Sequence, residues 1–491
     1  MPVHQSAVSA RRRSGVQLRV DEPHGQSQAG WFRLAVGGRA VSRGAHARVP
    51  RSAQETGIFL GDHITTERHL CAYVDDHRDR LIEIIRDLVR IPSENTPPTG
   101  AEMACQQHVA GFLRGCGWEP CVYGLDEVVG LKQHPLYWNG RDYTNRPNVG
   151  ARRKGTGGGR SLLLSGHIDT VPRGTQPWTR GAFGSQVEGN RIYGRGSNDM
   201  KGGVGTNLFV VEAVERLGIH LRGDLVFETV VDEEFGGVNG TLAGRLQGFN
   251  ADAAIISEPS FLRICPAQRG GRTAHISLRA SGGVLSDGKF PAGVVNQLTH
   301  LLVQLKSFTE QRRQKARVHE MYAHHADPVP VSITKIFTSP WGTGEPITTP
   351  EVCKVEMYWQ AMPGEAQDAI EREFFAWFDA MVASAPELFH MRPAVEFPIR
   401  WLPGSSILRS EPLVNELSEC ATRVLGHEPP IVGIEGPCDM YVFHQAFGIP
   451  AVLWGAKGGN THGADEYLEI DSAVAAAKTL LSFVCRWCEA A

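Results

Sequence analysis

Seven side chains define the chemistry open to this 491-residue sequence: His167, Asp169, Asp199, Glu233, Glu234, Glu258 and His462. Two imidazoles with several carboxylates form a donor set for divalent zinc, cobalt or manganese, which accept both ligand types. A carboxylate between two histidine-bearing ions can bridge them at the roughly 3.5–4 Å separation of two-metal hydrolases, and Asp199 is the candidate bridge. In His167-x-Asp169 the aspartate is close enough to orient the imidazole. Glu233 and Glu234 are adjacent and point different ways, so one can ligate while the other accepts a proton from an attacking water as general base. Taken singly, each piece has a plainer reading. A His-x-Asp is commonly a satisfied polar pair, a Glu-Glu pair is commonly solvated, and His462 within Thr461-His-Gly-Ala-Asp-Glu466 could cap a turn. Their joint placement is what argues for a metal site.

That placement follows from the elements expected around them. Residues 162–164, 225–231, 253–256 and 451–454 read as short, continuously apolar strands. His167 and Asp169 follow the first, Asp232-Glu-Glu234 ends the second, Ser257-Glu258-Pro259 ends the third, and the loop after the fourth carries His462. Such strands alternating with helices predict an α/β fold with a mostly parallel sheet covered by helices on both faces. Ligands bind at the carboxyl ends of strands in sheets of this kind. Asp199 lies in Tyr193-Gly-Arg-Gly-Ser-Asn-Asp-Met-Lys-Gly-Gly203, where glycines permit a sharp turn. A helix is expected to follow, with Val204, Leu208, Val211 and Leu217 on one face and Gly218 as its stop.

The periodicity also predicts helices over 74–90, ended by Pro92, and over 102–113, then a hairpin over 146–165. The hairpin loop Gly155-Thr-Gly-Gly-Gly159 lacks the Lys-Ser/Thr of a phosphate loop. Residues 267–398 break the pattern. Strands over 273–280, 329–336 and 352–359 with helices over 294–306 and 366–383 read as a β-α-β-β-α unit, a smaller α+β domain inserted into the larger one. The chain returns at Trp401-Leu-Pro-Gly404, with a helix over 412–425 and a final helix after Ile470. The expected organisation is a disordered extension over 1–66, a first catalytic part over 67–266, the insertion over 267–398 and a second catalytic part over 399–491.

Composition narrows the partners. Lys and Arg total 50 against 53 Asp and Glu, a net charge of −3 that argues against broad nucleic-acid binding. No apolar run approaches the roughly 18 residues of a membrane span, so a small or polar substrate in aqueous solution is expected. The first sixty residues contain nine arginines, no lysine and three acids, with no helical or strand period. Ten cysteines without a pairing framework, and no secretory signal, read as reduced thiols in the cytoplasm. Cys485 and Cys488 lie in a helical run with no second pair, so neither a zinc ribbon nor a redox site is expected there.

Five segments carry a family resemblance: Ser165-Gly-His-Ile-Asp-Thr-Val-Pro172, the 193–203 loop, Asp232-Glu-Glu-Phe-Gly236, Ser257-Glu-Pro259 and His462-Gly-Ala-Asp-Glu-Tyr-Leu-Glu-Ile470. They closely resemble the metallopeptidase and deacylase family of acetylornithine deacetylase, succinyl-diaminopimelate desuccinylase, aminoacylase and glutamate carboxypeptidase. The likeness runs in order and spacing from about residue 74 to the C-terminus. It implies two divalent ions, zinc first, with His167 and His462 as terminal ligands, Asp199 as bridge, Glu234 and Glu258 as further ligands and Glu233 as general base. Asp169 resembles the aspartate that orients the first histidine.

The resemblance also implies that the ferredoxin-like insertion is a lid, through which such chains commonly form homodimers. The family's lid histidine sits in a Gly-x-x-x-His segment, and Ala280-Ser-Gly-Gly-Val-Leu-Ser286 puts Ser286 there. His275 lies earlier, on an expected strand, and reads as structural. Gln360 falls near the usual carboxylate-reading arginine, and Gly436-Pro-Cys-Asp-Met440 falls on a substrate-side loop, making Cys438 and Asp439 candidate pocket residues. The expected activity is hydrolysis of the amide of an N-acyl amino acid. Two rivals remain, a dipeptidase or carboxypeptidase on the same scaffold and a catalytically weak metal-dependent binding protein.

Overall fold

The computed structural model describes residues 63–281, 292–338 and 349–490. Leu162–His167, Leu225–Val230, Ala253–Ile256 and Ala451–Leu453 are buried along their whole length. Burial on both faces explains their unbroken apolar sequences. They lie side by side, with Ala451–Leu453 next to Ala253–Ile256, then Leu162–His167, then Leu225–Val230, and every pair is parallel. Their carboxyl ends therefore leave the sheet along one edge.

The nine-stranded sheet is mixed rather than mostly parallel as expected: outside this centre only Ile264–Gln268 and Ile431–Ile434 pair in parallel. Asn148–Arg153 runs antiparallel to Leu225–Val230, Cys121–Tyr123 runs antiparallel to Asn148–Arg153, and Ile264–Gln268 runs antiparallel to Ala451–Leu453. The segment 257–263 is too short for the helical crossover that a parallel strand needs, and the chain returns in the opposite sense. The expected hairpin over 146–165 is likewise absent. Leu225–Val230 lies between Asn148–Arg153 and Leu162–His167 and pairs with both. The glycine loop between them instead binds the backbone of 221–222, through Thr156 N–H to Leu221 O and Gly157 N–H to Arg222 O, both at 2.9 Å.

Arg78–Arg90 buries Leu81, Ile84, Ile85, Leu88 and Val89, the three-and-four spacing of one helix face. The expected helix over 74–90 is two helices, His63–Asp76 and Arg78–Arg90. They divide at His77, where the backbone leaves helical geometry (φ −111°, ψ 21°) and the ring bonds the Tyr73 carbonyl at 2.8 Å. Lys201–Arg216 is buried from Lys201 to Val214 rather than on one face. It packs between Arg78–Arg90, Ile470–Trp487 and Leu162–His167, and an all-round buried helix needs no polar stripe. Glycine makes this possible at Gly203, where a Cβ would sit 1.9 Å from the Ser257 carbonyl oxygen. The start of that helix, next to Asp199, thereby lies against the loop carrying Glu258.

A second sheet orders Val331–Phe337, Val352–Ala361, Gly270–Arg279 and Ala394–Glu396 antiparallel. Val294–Lys315 and Gln367–Ala383 cover it around their own core of Phe308, Trp359, Phe374 and Trp377. Ala394–Glu396 is an added strand that the sequence pattern does not predict. All ten cysteines are free, and burial pushes the Cys485 thiol up to about 12. Among the described residues no helix is long and apolar enough to cross a membrane. The disorder expected for 1–66 falls largely outside the described residues, although the first helix begins at His63.

Gly203→Ala should destabilise the chain by at least about 2 kcal/mol, since the new methyl meets backbone on a rigid loop. Equilibrium urea unfolding measures this, and Gly202→Ala offers no control because its Cβ would also clash, 2.5 Å from the Ser197 carbonyl oxygen. Gly111→Ala, with nothing within 4 Å of the added carbon, should leave the midpoint unchanged or raise it.

Candidate metal centre

His167 closes the Leu162–His167 strand. Its Nδ1 lies 2.9 Å from the main-chain carbonyl of Asp169, and its Nε2 faces Asp199 Oδ1 at 3.1 Å and Glu258 Oε1 at 3.6 Å. Asp199 presents its other oxygen, Oδ2, to His462 Nε2 at 3.4 Å. His462 stands in a tight loop with left-handed backbone (φ 63°) and also meets Glu234 Oε2 at 2.9 Å. Asp199 is thus shared between two groups, His167–Asp199–Glu258 and Asp199–Glu234–His462. Within each group one ligand atom per residue lies within 4.8 Å of the others.

Glu466 ties the two loops together. Its buried carboxylate accepts the N–H groups of Gly196 at 3.1 Å, Asn198 at 3.0 Å and Asp199 at 3.0 Å, and pairs with Arg195. Arg195 Nη2 in turn donates to the His462 carbonyl at 3.1 Å. Residue 466 therefore sets the Asp199 turn while belonging to the His462 loop. Among the sequence candidates it appeared only inside a motif, because a buried carboxylate and a solvated one look alike in sequence.

The donor set fits divalent ions. A tetrahedral ion with nitrogen and oxygen ligands at about 2.0–2.2 Å has ligand–ligand edges of roughly 3.3–3.6 Å. The facing pairs here stand at 2.9, 3.1, 3.4 and 3.6 Å. Electrostatics point the same way. Burial, together with the Asp199 charge, pushes Glu234 up to about 7 and Glu258 well above the carboxylate range. Burial and the charge of Glu258 do the same to Glu233. Burial alone would lower His462, but hydrogen bonds to Asp199 and Glu234 lift it to about 11. Crowded carboxylates that otherwise hold protons are what divalent cations neutralise.

The remaining candidates divide. Asp169 is buried, and its carboxylate lies 3.6 Å from His167 Nδ1 while accepting the N–H groups of Glu233 and Glu234. The imidazole is therefore oriented first by the Asp169 carbonyl rather than its carboxylate. The Glu233 side chain has no hydrogen-bond partner among the described residues and lines a cavity of about 400 Å³. Cys438 lines the same cavity, its thiol donating to Gln268 Oε1 at 3.1 Å. Asp439 is buried and accepts the Thr241 hydroxyl. Gln360 is engaged by Arg269 at 2.6 Å and the Glu435 carbonyl at 2.6 Å. His275 pairs across strands with Glu356 at 3.0 Å. Ser286 lies outside the described residues. The residues missed from sequence are Glu466 and two behind the site, Asn95 and Asp232, whose polar partners are remote in the chain.

Residues 163–486 match the model of peptidase family M20/M25/M40, and the chain belongs to that family. It is 27% identical over 448 residues to an N-formyl-4-amino-5-aminomethyl-2-methylpyrimidine deformylase of Halalkalibacterium halodurans, covering 85% of this chain and 97% of the relative. It is 25% identical over 405 residues to a succinyl-diaminopimelate desuccinylase of Rhodopseudomonas palustris, covering 78% and 92%. The family match and the named relatives make this chain a metal-dependent hydrolase of amide bonds. Among solved structures, the di-peptidase Dug1p of Saccharomyces cerevisiae has the same fold, with a TM-score of 0.68 at 15% identity over 87% of this chain and 99% of that one.

Glu466→Gln should lower the unfolding free energy by roughly 3–5 kcal/mol, the cost of breaking a buried ion pair on one side, and should weaken zinc binding with it. Denaturant unfolding and zinc titration of the same preparations test the two effects together.

Proposed function

We propose that this chain removes a small acyl group, formyl or another short one, from an amine that carries no carboxylate beside the reacting amide. His167, Asp199 and Glu258 would hold one divalent ion, zinc first, and Asp199, Glu234 and His462 the other. Bound there, the ions would supply Lewis acidity to the carbonyl and acidify water toward neutral pH. The rest of the chemistry belongs to side chains of the chain itself. Glu233 takes the proton of the attacking water and hands it to the departing nitrogen, a role that suits a carboxylate left free of other partners. His167 is kept from turning by the Asp169 carbonyl, which its Nδ1 meets away from the metal-facing Nε2.

The observation that carries the substrate reading is the cavity wall. Its described lining is Phe235, Ile399, Leu402, Ile434, Pro437 and Leu453 with Thr273, Tyr358 and Cys438, and it includes no lysine or arginine. Apart from the proposed ions, the described lining therefore offers no cationic side chain to pair with a carboxylate on the leaving amine. A flat, uncharged or cationic amine suits this wall. The deformylase relative, whose named substrate is a formylated aminomethylpyrimidine, supports the same reading. The second reading, an N-acyl amino acid, is favoured by the desuccinylase relative.

Thr273 and Tyr358 come from the second sheet, which supports its role as a lid over residues 267–398. Exposed Val295 and Val303 on its first helix and exposed Ile336 and Phe337 on its outer strand suit a homodimer contact. The parallel strand ends and the absence of a membrane-crossing helix among the described residues leave a small soluble molecule as the expected partner.

The test is amide hydrolysis by the purified, zinc-loaded chain against N-formyl and N-acetyl aminomethyl heteroaromatics, N-acyl amino acids and dipeptides. The formylated or acetylated amines should be turned over with at least about tenfold higher kcat/KM than the amino-acid and dipeptide series. Glu233→Ala should lower kcat by roughly 10²–10⁴ while retaining two ions per chain, and Asp199→Asn should lose metal as well as activity. Preference for N-acyl amino acids would move the assignment to the second reading. Binding of metal without any turnover would favour a binding protein.

A further inference from the structure

The proposed reaction uses Glu233 without accounting for what aims it. Its N–H points at the carboxylate of Asp169, 3.2 Å from Oδ1 and 3.1 Å from Oδ2, and the N–H of Glu234 lies 3.2 Å from Oδ2. Asp169 is completely buried, and among the described residues no lysine or arginine pairs with it. Its remaining donor is Asn95, whose Nδ2 lies 2.8 Å from Oδ2. The same Nδ2 lies 3.2 Å from Oδ1 of Asp232, the residue just before Glu233.

Asp232 is also completely buried, with left-handed backbone (φ 67°). It accepts the Tyr143 hydroxyl at 2.7 Å and stands 3.6 Å from both Arg141 and Arg146. Two buried carboxylates therefore flank the backbone that leads into Glu233, and the amino group of Asn95 stands between them with a hydrogen for each. A carboxylate in its place would repel both, and an apolar group would leave both short of a donor. The Asn95 Oδ1 atom is itself buried without a partner, so it is the amino end that the site uses. Asn95 is fixed in turn by the Asp169 segment. Its N–H donates to Thr170 O at 2.8 Å, Thr170 N–H donates to Ser93 O at 3.0 Å, and Ser93 Oγ donates to Ile168 O at 2.6 Å.

We propose that Asn95 is a positioning residue for the general base: it ties the Asp169 carboxylate, which takes the Glu233 and Glu234 N–H groups, to the carboxylate of Asp232 just before them, and so sets where the Glu233 carboxylate lies in the cavity. The proposal rests on the reading of Glu233 as base. Misplacement of a catalytic group by about 1 Å is enough to lower a rate by a hundredfold, so the effect falls on turnover rather than on binding.

The test joins hydrogen exchange to kinetics in the full chain. In metal-free protein, Asn95→Ala should speed exchange of the Glu233 and Glu234 amides by roughly ten- to a hundredfold, the factor expected on loss of a charge-assisted hydrogen bond. Exchange along Leu225–Val230 should stay unchanged. In zinc-loaded protein, kcat should fall at least about tenfold with KM within about twofold and metal content unchanged. Asn95→Asp should be no better than Asn95→Ala. Asn95→Ser, which keeps one donor, should fall between wild type and alanine, and it serves where the alanine variant does not fold. Unchanged exchange at residues 233–234, or faster exchange spread over the whole strand, would overturn the proposal. Wild-type protein that hydrolyses no amide would refute the proposed function on its own, because the exchange measurement needs neither metal nor substrate.

Discussion

Like charges crowded into a buried space are the constraint on which the rest of this structure depends. Asp199, Glu233, Glu234 and Glu258 line one cavity, and among the described residues only His462 and neighbouring His167 stand there as potential cations. A second set of carboxylates lies just behind. There the charges are met by fixed donors: Glu466 by three backbone N–H groups and Arg195, Asp169 by two N–H groups and Asn95, Glu228 by Ser165 and Arg245, Glu102 by Arg146. The inner set is saturated by the protein and positions loops. Of the cavity set, Asp199, Glu234 and Glu258 are left for ions and Glu233 stands beside them without a partner among the described residues, which is the physical content of the proposed two-metal site.

The fold serves that division. Four parallel strands bring His167, the Glu233–Glu234 turn, Glu258 and the His462 loop to one edge, and a helix buried all round brings Asp199 to meet them. Gly203 allows that helix to touch the Ser257 carbonyl, so helix packing and ligand spacing are one problem solved by one missing side chain. The antiparallel outer strands widen the sheet without adding ligands. The second sheet lends Thr273 and Tyr358 to the cavity wall.

Much of this was legible in the sequence because it rests on local patterns. Apolar runs ending in His-x-Asp, Glu-Glu and Ser-Glu-Pro mark strand ends, and the five motifs carry the family likeness, with which the match over residues 163–486 agrees. Pairing partners were less legible. Asn148–Arg153 and Leu162–His167 look like a hairpin because they are neighbours in sequence, yet a strand from residue 225 onward separates them. At the break at His77 the ring adds a second hydrogen bond to the Tyr73 carbonyl, which also accepts the His77 N–H, and a hydrophobic period cannot register such a contact. Asn95, Asp232 and Glu466 act through partners 74 to 271 residues away, and a lone buried polar residue leaves no periodic trace.

The most direct measurement is a crystal structure of the zinc-loaded chain with anomalous diffraction collected at the zinc edge. Two peaks roughly 3.5–4 Å apart, one among His167, Asp199 and Glu258 and the other among Asp199, Glu234 and His462, are the predicted result. A single peak, no peak, or zinc bound elsewhere with these carboxylates holding protons would contradict the account at its centre.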